Sequence, residues 1–347
     1  MGVRAHKPHK SRSMEINQRM SKRLGWLLGL AMLVAIGLLL ACGTTYNSSS
    51  DGLVLVGSQG SALVQSFSFS LASGHLASVS NSTNDTGNSS CILPGVPSAM
   101  VLDSAGAYAY AIINATTLCK GSMTGILAFK VSSNGTVAPA GTSPLAFNPE
   151  NVIIQNTSPP VTEPVPVVPG TMVTDSSGKF LFVADRATTD SSGNYVPGAI
   201  SVFSISNGTA TEVTGSPFFT SIQPMTETHT TTDIISVATT PTVFPPPING
   251  VNQAVCTGAS APTAEYLYAV DYVNSLVFEF LVNTSTGALG NPPNATTILS
   301  KATDTNPAGV AVDPCNRFVY VSGSLNNKVN AYTMCNGSTT QAPACPN

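Results

Sequence analysis

Charge is what this sequence has least of. Asp, Glu, Lys and Arg make up 9% of its 347 residues, where an average soluble domain has about 25%. Histidine is rarer still, with only His75 and His229 following residue 42. There is no Cys-x-x-Cys pair to join them at zinc spacing, so no metal is expected. No nucleophile elbow, phosphate-cradling loop, His-Glu zinc motif or EF-hand loop occurs, and no cofactor is implied. No amphipathic helix of any length follows Cys42, which sets aside helical bundles and α/β enzymes. The few basic residues are unevenly placed: seven of 14 precede Cys42, together with one of 17 acids. The remainder carries seven cations against 16 acids, a net charge near −9, which disfavours nucleic acid and anionic membrane faces as ligands. Hydroxyls and amides must solvate most of the exterior.

What is present is a repeat. Pro169 to Asp185 reads as a strand at Thr171 to Thr174, a tight turn on Asp175-Ser176-Ser177-Gly178, and a second strand at Phe180 to Ala184 rich in aromatic and β-branched residues. The same hairpin starts at Pro97, with its turn on Asp103 to Gly106, and at Pro307, with its turn on Asp313 to Asn316. These starts are 72 and 138 residues apart, so a copy is expected midway between the last two. Glu265 to Asp271 supplies its second strand, and Ile234 to Val237 its displaced first strand.

A third alternating run follows each hairpin, at Ile126 to Val131, Ile200 to Ile205, Leu276 to Val282 and Val329 to Tyr332. A partial copy at the front has Leu53 to Val56 and then Leu63 to Phe69. A glycine turn comes next, at Gly74, Gly135, Gly208 and Gly287, before a short fourth segment such as Thr211 to Val213. Four short antiparallel strands per unit is the makeup of a propeller blade, and five units are recognisable. Long insertions lie at Ser80 to Pro97, Phe147 to Pro169 and Thr239 to Pro262.

The pattern Pro-x-x-Val-x-Val-Asp-x-x-Gly-x-aromatic-x-aromatic-Val precedes a Val-x-Phe-x-Ile run and a Thr-Gly-x-Leu turn. With the closing Gly-Ser-Pro-Phe at Gly215 to Phe218, echoed at Thr142 to Leu145, it resembles the lactonase-type (6-phosphogluconolactonase-like) seven-bladed β-propellers. These are related to surface propellers with Tyr-Val-Thr-Asn-like repeats. The resemblance covers roughly Asp51 to Asn347 and implies an all-β propeller of four-stranded blades. With five units where the family has seven, either blades are missing or an insertion conceals a degenerate one.

The front of the chain reads as an export signal. Arg4, Lys7, Lys10, Arg12, Arg19, Lys22 and Arg23 precede an uncharged run from Leu24 to Ala41. The run ends in Leu39-Leu40-Ala41-Cys42-Gly43, which resembles the lipobox of bacterial lipoproteins, so cleavage would leave Cys42 as the lipidated first residue. The alternative is an uncleaved anchor, since eighteen residues lie at the lower edge of a spanning helix. The expected organisation is a signal peptide over 1–41, a lipidated Cys and polar tether over 42–50, and a propeller over 51–347. An outer-membrane destination in the bacterial envelope is the expectation.

Six further cysteines, Cys91, Cys119, Cys256, Cys315, Cys335 and Cys345, suit disulfides in an exported chain, with fifteen complete pairings open. Nearness in sequence favours Cys335 with Cys345 and Cys91 with Cys119, leaving Cys256 with Cys315.

Lactone hydrolysis needs an activated water and a donor for the oxyanion. By resemblance, such groups gather where the innermost strands and top loops meet the central channel. The candidates there are Asp185 and Arg186, closing one hairpin, and Asp271, the equivalent position one unit on; Glu212, His229 and Arg317 are outsiders. The acids could hold a cation together or could simply end strands in water. Asp103, Asp175 and Asp313 open turns, where an Asp side chain bonds the backbone two residues on. Two functions stay open. One is a lipid-anchored envelope propeller binding a protein, peptide or glycan without catalysis. The other is an exported lactonase acting on a sugar lactone, disfavoured by the shortage of cations that a phosphorylated sugar acid wants.

Overall fold

The computed structural model describes residues 52–59, 62–70, 73–81, 93, 95–117, 123–140, 144–147, 149–154, 161–219, 232–241, 264–291, 299–303 and 305–333. They fall into two compact units. In the smaller, Met1–Gly52 and Ser70–His75, the described part includes a turn in which Ser70 N donates to His75 O at 3.1 Å. The larger comprises Leu53–Phe69 and Leu76–Asn347.

The described secondary structure is all β, in antiparallel sheets that succeed one another along the chain. The first has β1 (Gly52–Ser58), β2 (Leu63–Phe69) and β3 (Leu76–Asn81). The second has β4 (Val96–Leu102), β5 (Tyr108–Asn114), β6 (Gly125–Val131) and β7 (Val137–Pro139). A separate hairpin, β8 (Glu150–Ile154) and β9 (Val161–Val165), comes before the third. The third sheet runs β10 (Val168–Thr174), β11 (Phe180–Arg186), β14 and β15, with the small hairpin β12 (Thr188–Thr189) and β13 (Tyr195–Val196) inserted after β11. Here β14 is Ala199–Ser206, β15 is Thr209–Glu212, and β16 (Phe218–Phe219) returns to pair with β14. The fourth has β17 (Ile234–Thr239), β18 (Glu265–Asp271), β19 (Leu276–Val282) and β20 (Leu289–Gly290), with β21 (Leu299–Ala302) returning to β19. The fifth has β22 (Pro307–Val312), β23 (Phe318–Gly323) and β24 (Lys328–Thr333).

This is a propeller-like fold, and the expected hairpins are where the repeat puts them, including the displaced first strand at Ile234. Each of those hairpins has a register shift near its entry, between Pro97 and Ala99, Pro169 and Met172, Ile234 and Ser236, and Pro307 and Gly309. Three of the four entries carry a proline, which has no N–H to lose to a bulge. The insertion at 147–169 contains a two-stranded hairpin of its own. Its apolar segments around Val152 and Val161 pair as β8 and β9, and just after Ser216-Pro217 the chain returns to the sheet as β16, Phe218–Phe219.

The core lies between consecutive sheets, because each sheet is apolar on both faces. Leu55 and Val64 of the first meet Ala111 and Phe129 of the second. Tyr110 and Ile112 of the second meet Leu181 and Phe203 of the third. Phe182 and Ile200 of the third meet Leu267 and Phe280 of the fourth, and Tyr268 of the fourth meets Val319 and Tyr332 of the fifth. The first strands also abut across sheets through hydroxyls. Val237 N donates to Thr171 Oγ1 at 3.2 Å, Thr239 Oγ1 to Thr174 O at 2.9 Å, and Val310 N to Ser236 Oγ at 3.4 Å.

The turn glycine ahead of a fourth strand belongs to the same contacts. Gly287 has φ +78°, and a Cβ there would stand 2.5 Å from Cδ1 of Phe180 on the preceding sheet. Gly287→Ala therefore adds a left-handed backbone penalty to overpacking, and we expect a loss of about 2 kcal/mol in urea unfolding.

Candidate functional site

Asp185 and Asp271 close the second strands of the third and fourth sheets, and both are fully buried. Ser201 Oγ donates to Asp185 Oδ2 at 2.6 Å, tying the end of β11 to β14. Asp271 accepts from Val273 N at 3.0 Å and Asn274 N at 3.2 Å on Oδ1, and from Asn274 Nδ2 at 2.6 Å on Oδ2. That is the Asx pattern by which a carboxylate shapes the turn after its own strand. It also accepts from Asp233 N at 3.1 Å, so the carboxylate anchors the entry to β17 as well.

Asp233 is the residue sequence reading did not single out. Its carboxylate receives Arg186 Nη2 at 2.8 Å and Nε at 3.2 Å, a two-pronged charge-assisted contact, and Ala187 N at 3.0 Å. Arg186, Asp233 and Asp271 thus form one cluster where β11, β17 and β18 reach the same end of their sheets. The bond to Asp233 raises the Arg186 pKa further above its ordinary value, outweighing partial burial. Tyr195 Oη donates to Thr232 O at 3.3 Å and Asn306 Nδ2 to Tyr272 O at 3.1 Å, bringing β13 and the entry to β22 to the same place. The arrangement can hold strand ends together and leaves a half-exposed guanidinium at the surface.

The other candidates are explained by their surroundings. Glu212 accepts from Ser216 Oγ at 2.7 Å, and that oxygen in turn accepts from Val202 N at 2.9 Å where the chain turns towards β16. Arg317 pairs with Asp313 at 2.7 Å, and its guanidinium lies over the Phe318 ring at 5.9 Å. His229 and Cys42 lie outside the described residues. So do Cys91, Cys119, Cys256, Cys335 and Cys345, whereas Cys315 is buried and disulfide-bonded. Among the described residues no three His, Cys, Asp or Glu side chains gather as a metal site, and no helix is long and apolar enough to cross a membrane.

One buried acid had no reason to be noticed in the sequence. Glu265, at the start of β18, accepts from Ser176 N at 2.8 Å and from Ser176 Oγ at 2.9 Å, both on the Asp175 turn of the preceding sheet. Burial pushes its pKa up to about 7, with a further push from Asp175, against the opposing pull of the Ser176 bonds.

No protein-family description and no curated protein matches the chain. Solved structures do. A protein of Bacteroides uniformis ATCC 8492, provisionally assigned as a 6-phosphogluconolactonase, is 17% identical with a TM-score of 0.50, covering 82% of this chain and 65% of its own. The hydrazine synthase of Kuenenia stuttgartiensis is 11% identical, covering 83% of this chain and 70% of its own, with a TM-score of 0.48. The periplasmic gluconolactonase of Pseudomonas aeruginosa is 12% identical, covering 79% of this chain and 74% of its own, with a TM-score of 0.38. This chain spans about two thirds of the length of the Bacteroides protein, and at these identities what it shares with that protein is the fold.

Proposed function

We propose that this chain is a lipid-anchored β-propeller of the bacterial cell envelope that binds a partner through its loops and carries out no catalysis. One observation carries the reading. The first strands that abut across sheets, β4, β10, β17 and β22, contain no Asp, Glu, His, Lys or Arg at all. A hydrolase built on these strands would lack an ionisable base and any cationic donor there. At the entry to β17, Asp233 and Asp271, which pairs with Ile234, are engaged in shaping turns and holding Arg186, and Asp103, Asp175 and Asp313, which directly follow β4, β10 and β22, accept bonds from their own turns. The anchor rests on the apolar run that stops at Cys42 and on the polar tether after it. An exported, acidic chain also fits a disulfide between Cys315 and Cys256.

The second reading, an exported lactonase, is favoured by the likeness in fold to the Bacteroides protein and by the half-exposed Arg186, the one described cation at the strand-end cluster. Expression from the natural start in a bacterium, with detergent-phase partitioning and intact mass, tests the anchor. Cleavage before Cys42 with added acyl chains is the expected mass, and a soluble or uncleaved, unacylated chain removes the lipid anchor. A panel of sugar lactones tests catalysis. We expect no turnover above buffer, and hydrolysis that Arg186→Ala abolishes would overturn the binding reading.

A further inference from the structure

First strands of consecutive sheets stand side by side and run in parallel. Thr171 meets Val237 and Thr174 meets Thr239, so β10 and β17 advance together, and Ser236 in turn meets Val310 of β22. The end of β4 joins the row where Thr174 Oγ1 donates to Leu102 O at 3.4 Å. In the second to fifth sheets, the loops that join second to third strands therefore emerge at one common end. Each presents one large apolar side chain to solvent: Met123 between β5 and β6, Tyr195 between β11 and β14, Val273 between β18 and β19, and Leu325 between β23 and β24, from 40% to 68% exposed. The turns at the other end, 103–106, 175–178 and 313–316, present no exposed large aliphatic or aromatic side chain.

These loops are almost without charge. Among their described residues Asp190 alone is charged, and its carboxylate is occupied by Ser192 N and Asn194 N on Oδ1 and by Asn194 Nδ2 on Oδ2. In the middle of the row stands Arg186. Val168, itself exposed, is opposite it in register; Tyr195 is tied to Thr232, beside Asp233; and Val273 N shares Asp271 Oδ1 with Asp233 N. Asp233 takes Nε and Nη2, the side edge of the guanidinium. The end edge, Nη1 with the second hydrogen of Nη2, makes no bond among the described residues and faces an apolar surround.

Resting on the binding reading, we infer that this row of loops docks an uncharged, proline-rich segment of a partner protein in polyproline-II form. Its apolar side chains would lie on Met123, Tyr195, Val273 and Leu325, and one of its carbonyls would accept from the end edge of Arg186. Spacing favours that form. Packed sheets lie about 10 Å apart, so the four apolar side chains recur at about that interval. A polyproline-II segment rises about 3.1 Å per residue with three residues per turn, so one side chain in three recurs about every 9 Å. Same-face side chains of a β-strand recur about every 7 Å and fall out of step. The carbonyls of polyproline II make no bonds within their own segment, which leaves them free for a donor such as Arg186. Charge sets the rest. An ionised side chain pressed against Met123, Val273 or Leu325 would lose water and gain no opposite charge.

Phage-displayed random twelve-residue peptides, selected on the full chain in a mild non-ionic detergent, test this. Enriched sequences are expected to be rich in proline, to space apolar residues three apart and to lack Asp, Glu, Lys and Arg. Fluorescence anisotropy of a labelled selected peptide then reads the face. Tyr195→Ala should weaken binding about 30-fold, as truncating a central aromatic anchor does, and Val273→Asp and Leu325→Asp about 10-fold or more. All three side chains are exposed, so melting temperatures should stay at the wild-type value, and Leu102→Asp, at the other end of the sheets, should leave binding unchanged. Enrichment of charged sequences, no enrichment at all, or binding that survives all three substitutions overturns the proposal. So does a glycan-array ligand whose binding Tyr195→Ala abolishes. Each of those results leaves the binding reading standing, which falls separately to lactone turnover.

Discussion

Asp175→Ala lowers the free energy of unfolding by about 3–4 kcal/mol, the sum of several lost bonds at about 1 kcal/mol each. The carboxylate is buried in the turn between β10 and β11. Its Oδ1 accepts from Lys179 N at 2.6 Å and Phe180 N at 2.7 Å, and its Oδ2 from Ser177 N at 3.2 Å and from Ser177 Oγ. Alanine leaves these donors without their shared acceptor. Asp175→Asn keeps one oxygen and should cost roughly half as much. Asp103 opens the same turn one repeat earlier but is only half-buried and accepts from Ala107 N and Tyr108 N alone. Asp103→Ala should therefore cost about 1 kcal/mol. Urea unfolding of the three variants reads the ranking, and equal costs for Asp175→Ala and Asp103→Ala would show that burial is not what separates them.

Glu265 makes stability fall as pH rises. Its carboxyl titrates near 7 in the folded chain and at its ordinary value of 4.5 when unfolded, so between those values the native state holds the extra proton. The contribution is complete below pH 4.5 and is lost as pH climbs through 7, by at most about 3 kcal/mol. Glu265→Gln removes the titration while keeping an acceptor for Ser176. The difference in unfolding free energy between wild type and Glu265→Gln should therefore shift in the variant's favour from pH 5 to pH 8, other carboxylates cancelling in the comparison. A pH-independent difference would mean the carboxylate stays ionised in its place between the sheets.

The hairpins were legible because each carries its own punctuation: an entry near Pro97, Pro169 or Pro307, an Asp-led turn, and a pair of aromatic positions on the second strand. The glycine turns at Gly135, Gly208 and Gly287 were legible for the same reason, since a left-handed backbone selects its residue locally. The small hairpin β12–β13 was not, because two-residue strands have no period. Asp233 escaped notice because its partners Arg186 and Asp271 are 47 and 38 residues away. Glu265 fills the place Lys179 has in the preceding repeat, so the sequence suggests an interchangeable surface position. Its burial is decided by Ser176, 89 residues earlier. Strand pattern is local information; the surroundings of a strand end are set by the neighbouring sheet.

The hydroxyl bonds between first strands have a consequence for the chain's response to salt. Thr171, Thr174, Thr239 and Ser236 join successive sheets with short neutral dipoles, while only two ion pairs, Arg186 with Asp233 and Arg317 with Asp313, occur among the described residues. Attraction between exposed charges fades as ionic strength rises, but a neutral hydrogen bond between packed strands has little to be screened. These hydroxyl contacts are therefore nearly indifferent to the salt around them, which leaves the pair of Arg186 and Asp233, where the third sheet meets the entry to the fourth, as the cross-sheet contact that rising ionic strength would weaken.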